Sequence, residues 1–347
     1  MSAERRGRLQ RLLSDRGADG ALVTNPVNIR YLSGFTGSNG ALLVDVDGPV
    51  RLITDGRYQD QAAAEAPDVD VIIDRELLCA CARYMTGTWA VETNHLTVDE
   101  YRQLPSGTAG LDGAVESLRA IKDPGECQLL SRACQLSTRA LDGLLESGLE
   151  GRTERELSRD LQWRIYELGA DEIAFEFIIA SGPNAAIPHH RPTDRKIRRG
   201  DFVKIDFGAQ AGGYHADCTR TFVTGPAADW QREMYDVVRH SQLAGLDACV
   251  AGTEIRDVWN ASVDVLADAG WREYFTTGLG HGVGLQIHED PFIGPRRTGK
   301  LAGGMTVTIE PGVYVPGSGG VRIEDTLVVT ENGARVLTTM TKDLVEI

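Results

Sequence analysis

The chain has 347 residues, is 42% hydrophobic and carries a formal net charge of −14. That length and apolar content suit a folded protein with room for two domains and exclude a disordered or fibrous chain. The acidic balance excludes a general nucleic-acid or anionic-membrane partner, because either needs clustered Lys and Arg to displace counterions.

Cys79, Cys81, Cys127, Cys134, Cys218 and Cys249 form no C-x-x-C spacing and read as reduced thiols. The N-terminus leads into an amphipathic segment with no apolar signal core, and no run of about 18 apolar residues occurs. The sequence therefore places the protein in the cytoplasm, without a membrane partner.

Residues 1–120 read as a small α/β domain. A basic helix is expected over 5–16, then a strand over 20–24 stopped by Asn25-Pro26. A turn-rich loop follows over 30–40 and feeds strands at 41–46 and 51–54. Asp55-Gly56-Arg57-Tyr58 then opens an Ala-rich helix over 59–66. Alternating strands and helices favour a mixed α/β layer. At Lys122-Asp123-Pro124 the pattern breaks, and Pro124 suits the first turn of a new helix, so the boundary falls there and a second domain covers 121–347.

In that second domain helices are expected over 126–146, 153–168, 229–251 and 255–269, with Thr153 and Glu156 in capping-box spacing. Strands over 202–207 and 214–222, joined by a glycine-bearing turn, read as a β-hairpin. Side chains alternate along a strand, which groups Asp206 with Lys204 and Asp217 with Thr219. Strands over 305–310 and 321–329 repeat the device: Glu310 shares a face with Thr308, and Glu324 with Arg322. Helices followed by a carboxylate-bearing hairpin thus occur twice, a hint of internal duplication.

Carboxylates converging among apolar neighbours repel unless a cation separates them. Asp206, Asp217, Glu310 and Glu324, with His281 from a glycine-rich loop, form an oxygen-rich set suited to two divalent ions roughly 3.5–4 Å apart. One imidazole among hard donors points to manganese, cobalt, iron or zinc. Taken singly each residue has a plainer role: a turn Asp caps backbone, and Glu324 can pair with Arg322. Other chemistries lack support. The loop at Gly278 has no G-x-G-x-x-G spacing, no G-x-S-x-G elbow exists, and Cys218 faces away from Asp217.

Taken together, Lys204-Ile205-Asp206-Phe207-Gly208, Asp217-Cys218-Thr219-Arg220-Thr221, Gly280-His281-Gly282-Val283-Gly284, Thr308-Ile309-Glu310-Pro311-Gly312 and Val321-Arg322-Ile323-Glu324-Asp325 resemble the pita-bread metallopeptidases. Tyr31-Leu32-Ser33-Gly34-Phe35-Thr36-Gly37 and Thr54-Asp55-Gly56-Arg57-Tyr58 resemble the N-terminal domain of their creatinase, aminopeptidase P and prolidase branch. The resemblance implies an α+β fold: a C-terminal pita-bread domain with pseudo-two-fold halves, preceded by a creatinase-like domain. It implies two metal ions, manganese by preference, held by Asp206, Asp217, His281, Glu310 and Glu324. Glu310 would shuttle the proton, His288 would steady the tetrahedral intermediate, and His189 would be the substrate-side histidine rather than His190. Arg322 and Tyr314 would support the ligands or touch substrate.

One position departs from the family pattern: four residues before the metal-binding histidine stands Thr277, where relatives often carry a histidine near the proline-side pocket. The resulting expectation is an Xaa-Pro aminopeptidase acting on proline-containing peptides, with an Xaa-Pro dipeptidase (prolidase) as the alternative. A catalytically inactive binding protein or a creatinase-like amidinohydrolase is the reading from another class. The preceding domain disfavours a methionine aminopeptidase. A homodimer is the expected assembly.

Overall fold

A computed structural model describes residues 2–347, which divide after Arg119 into two compact units, the second being Ala120–Ile347. The first unit is built on a six-stranded mixed sheet in the order Asp70–Ile73, Val50–Thr54, Gly40–Asp45, Gly20–Val23, Trp89–Val91, Ala109–Gly110. Its three central strands pair antiparallel and the outer pairings are parallel, the mixed layer expected from alternating elements.

One element of this unit differs from expectation. Asn25-Pro26 does not merely stop a strand; it starts the helix Pro26–Ser33. The Asn25 carboxamide accepts a hydrogen bond from the Val27 N–H at 3.0 Å, Pro26 occupies the first turn, and Gly34 ends the helix at φ 89°. The turn-rich loop therefore shrinks to 34–39.

The second unit carries the long helices Pro124–Glu146, Glu154–Glu167, Asp229–Asp247 and Ile255–Asp268. The Thr153 hydroxyl accepts from the Glu156 N–H at 3.1 Å and the Glu156 carboxylate from the Thr153 N–H at 2.8 Å, closing the expected capping box. Between and after these helices lie a three-stranded sheet (Cys218–Val223, Phe202–Phe207, Ile178–Ser181) and a five-stranded sheet (Glu289–Ile293, Gly280–Gly282, Thr306–Ile309, Asp325–Thr330, Gly333–Val336). A core including Val258, Trp259, Leu279, Val307, Ile309 and Leu327 packs beneath the second sheet.

Each expected hairpin keeps its register but bends where its carboxylates sit. In the first, Phe202–Phe207 pairs with Cys218–Val223, whereas the tip, Ala209–Ala211 with Tyr214–His215, joins Glu172–Ile173 in another sheet. The second does the same: Thr306–Ile309 pairs with Asp325–Thr330, and Gly312–Val315 with Gly319–Arg322 form a separate ribbon. This shared construction gives the unit the two similar halves of a pita-bread fold.

Gly208 makes the first bend passable, because a Cβ there would lie 1.8 Å from the Ala216 carbonyl oxygen. Backbone cannot yield to that contact, so Gly208→Ala is expected to destabilise the protein by about 3 kcal/mol. Urea unfolding checks this; an unchanged midpoint would mean that the bend has slack.

Candidate metal centre

The bends bring the carboxylates together. Asp206 lies opposite Thr219, so Asp206 and Asp217 sit diagonally on one face of the first hairpin. In the second, the register of the flanking pairs carried across the bend sets Glu310 opposite Glu324. The hairpins are stitched to each other: the Glu324 N–H donates to the Thr219 carbonyl at 3.1 Å, and the Thr219 hydroxyl donates to Glu324 Oε2 at 2.8 Å. The Thr326 hydroxyl donates to the Asp217 carbonyl at 2.7 Å.

His281 enters from the strand Gly280–Gly282, which must run close to its neighbours. A Cβ at Gly280 would stand 2.0 Å from the Thr308 carbonyl oxygen, so glycine is required there. His281 Nδ1 lies 3.0 Å from the Gly282 carbonyl oxygen, a contact that uses Nδ1 as the donor and leaves Nε2 facing the carboxylates. Nε2 is 3.3 Å from Glu310 Oε1 and 3.5 Å from Asp217 Oδ2. One ligand atom each from Asp217, His281 and Glu324 lie within 4.8 Å of one another.

Electrostatics describe a site short of positive charge. Burial and then the neighbouring carboxylates raise Asp217 and Glu324 well above the usual carboxylate range. Burial raises Glu310 too, but the hydrogen bond and charge of His281 outweigh it and hold Glu310 low. For His281, burial opposes protonation while Glu310 and Asp217 favour it, and the balance lifts it to about 9. The donor set fits divalent ions on its own chemistry: hard oxygens with one imidazole, and Asp206 Oδ1 and Glu324 Oε1 buried without any hydrogen-bond partner.

Around this cluster is a cleft of about 1240 Å³, lined by all five residues and also by Arg322, His288, His189, His190 and Thr277. His288 packs edge-on against His281, with ring centroids 4.4 Å apart. Burial and the His281 charge lower its pKa, so its ring is neutral near pH 7. His189 is exposed on the cleft wall, whereas His190 is buried, 2.8 Å from Glu154 Oε2. Thr277 lines the cleft, and its Oγ1 is buried.

Arg322 is committed inward. Nε donates to Thr219 Oγ1 at 3.1 Å, Nη1 to the Tyr314 hydroxyl at 2.7 Å and to the Pro188 carbonyl at 3.3 Å, and Nη2 to Asp206 Oδ2. Tyr314 is buried behind it and does not line the cleft. Of the roles open to this pair, support of Asp206 is the one these contacts build.

Several residues that shape the cleft carried no signal of their own in the sequence. Lys204 shares the Asp206 face, but nothing in its spacing foretold that its ammonium would be buried against the carbonyls of Ala185, Ile187 and Pro188. Glu154 and the Lys122–Glu289 pair, buried at 2.6 Å beside His288, join residues far apart in the chain.

A carboxylate and imidazole cluster at the floor of a large cleft, on paired bent hairpins, defines a metal-dependent hydrolase. The chain belongs to metallopeptidase family M24: residues 128–331 match that family, and residues 5–121 match the creatinase/prolidase N-terminal domain. The chain is 33% identical to an Xaa-Pro dipeptidase of Pyrococcus furiosus over 351 residues, covering 98% of this chain and 99% of the relative. Among solved structures, an Xaa-Pro dipeptidase from Bacillus anthracis is similar over 100% of both chains, with a TM-score of 0.96 and 35% identity. An X-Pro aminopeptidase from Thermotoga maritima is similar over 99% of both chains, with a TM-score of 0.91 and 32% identity. Among the described residues, no helix is long and apolar enough to cross a membrane.

Proposed function

We propose that the protein is an Xaa-Pro dipeptidase that holds two divalent ions, manganese by preference, through Asp206, Asp217, His281, Glu310 and Glu324. The observation that carries this reading is the buried five-residue donor set with its orphaned Asp206 and Glu324 oxygens, on a chain matched end to end by Xaa-Pro dipeptidases. The relatives shift the balance within the family: the sequence alone inclined to an aminopeptidase, while dipeptidases and prolidases prevail among the named relatives.

Bound at this set, the ions would supply Lewis acidity that makes water a nucleophile near neutral pH and polarises the scissile carbonyl. The residues do the rest. The Glu310 carboxylate takes the proton of the attacking water and returns it to the departing proline nitrogen, which must be protonated to leave as an amine. Neutral His288 offers an N–H to the carbonyl oxygen as its charge grows. His189, exposed on the cleft wall, contacts the substrate. Arg322 fixes Asp206 and so preserves the shape of the ligand set.

Proline removes the amide N–H and restricts the residue before it, so a site that accepts Xaa-Pro is shaped for it. The manganese-loaded protein is therefore expected to hydrolyse Ala-Pro at least about tenfold faster, in kcat/KM, than Ala-Pro-Ala. Ala-Ala should be a poor substrate. Preference for the tripeptide would restore the aminopeptidase reading, and undiminished turnover after chelation would remove the metal mechanism.

A further inference from the structure

The stretch 181–193, which carries His189, is held from two sides by the polar ends of two buried side chains, Glu154 and Lys204. Glu154, fully buried at 0% exposure in the first turn of its helix, accepts three hydrogen bonds on each oxygen. Oε1 takes the Ser181 N–H at 2.8 Å, the Ser181 hydroxyl at 2.8 Å and the Asn184 amide at 3.0 Å. Oε2 takes the His190 ring at 2.8 Å, the Thr193 N–H at 3.0 Å and the Thr193 hydroxyl at 2.7 Å. A carboxylate offers about four lone-pair sites, so Glu154 is saturated, which is what makes a buried charge tolerable.

From the other side, Lys204 Nζ donates to the carbonyls of Ala185 at 3.2 Å, Ile187 at 2.7 Å and Pro188 at 3.4 Å. Arg322 adds its bond to the Pro188 carbonyl, so the chain entering His189 is tied to the residue that holds Asp206. The chain leaving His189 is tied to Glu154 through His190. Of these neighbouring histidines one is drawn inward and the other is left facing the cleft.

We propose that Glu154 is a positioning residue of the active site: by fixing His190 and the flanking backbone of 181–193 it sets where His189 meets the substrate. This rests on the Xaa-Pro dipeptidase reading for its kinetic consequence, but not for its structural one. The charge is essential to the arrangement. A glutamine has nearly the same shape, yet either orientation of its amide turns an NH2 group against three donors.

The test is a double-mutant cycle on Ala-Pro hydrolysis with Glu154→Gln and His189→Ala, paired with hydrogen exchange of each protein. Glu154→Gln is expected to lower kcat/KM about tenfold in the native background and less than about twofold when His189 is already alanine. Exchange should rise across 181–193 while the strands Phe202–Phe207 and Cys218–Val223 stay protected. His190→Ala removes one of the six bonds and is expected to give a smaller fall, again lost in the His189→Ala background; it carries the test if Glu154→Gln does not fold. Equal losses in both backgrounds, or unchanged exchange over 181–193, would overturn the proposal. A native protein inert toward Xaa-Pro peptides would refute the dipeptidase reading instead, and the exchange result alone would then decide the positioning role.

Discussion

Glu310→Gln is expected to lower kcat by about 10²- to 10⁴-fold, with KM changed far less, because the variant loses proton transfer and little else. Glutamine keeps the length of the side chain and one carbonyl oxygen, so it still fits between His281 and the strand end where the Glu310 N–H donates to the Leu279 carbonyl at 2.8 Å. It cannot hold a proton at the Oε1 position, 3.3 Å from His281 Nε2. Because Glu310 is also a proposed ligand, metal content must be measured beside turnover. Full recovery of rate in excess manganese would reduce Glu310 to a ligand and end its proton role. A persistent loss at full metal content supports the assignment, and native-like rates without added metal would refute it.

How far the sequence led depends on the range of the interaction concerned. Strand parity put Asp206 with Lys204 and Glu324 with Arg322 correctly, because alternation is a local property of the chain. The capping box at Thr153 and Glu156 was legible for the same reason. The bends were not: they depend on Gly208 meeting Ala216 and on the tips pairing into other sheets, contacts fixed only when the whole sheet assembles. Pro26 misled because a proline that ends a strand also suits the first turn of a helix, and only the Asn25 cap decides between them. Nothing in the sequence sets Glu154 apart from any acid in the first turn of a helix, where it favours the helix dipole. Its actual partners lie 27 to 39 residues ahead, beyond any periodic pattern. The convergence of Asp206, Asp217, His281, Glu310 and Glu324 became readable through five ordered motifs, since a motif records a long-range contact that spacing alone does not.

The same cluster is expected to make the stability of the fold depend on metal. Adding manganese to chelated protein at pH 7, to about 100 times its dissociation constant, is expected to add about 2.7 kcal/mol, or a Tm rise of about 5–10 °C. The dependence on pH follows from the directions of the shifts. Asp217 and Glu324 have folded pKa values raised above those of the unfolded chain, so the chelated protein loses stability as pH climbs from the usual carboxylate range through the raised values. His281, lifted to about 9, stabilises the chelated fold fully below about 6.5 and loses that contribution as pH rises through 9. Both effects make chelated protein more stable in mild acid than at neutral pH.

Glu154 acts in the opposite sense: burial raises its pKa, but its hydrogen bonds outweigh that and hold it low, so its stabilisation is present above the usual carboxylate range and fails only below it. The Tm of chelated protein should therefore peak on the acid side of neutrality, above the range where Glu154 protonates. Metal should remove the decline toward neutral pH, and its benefit should shrink in acid as protons compete for the ligands. Calorimetry across pH 4.5–8 with and without manganese reads this directly. A chelated protein whose Tm is highest at neutral pH, or equals that of the loaded form throughout, would mean that the carboxylates are relieved without metal.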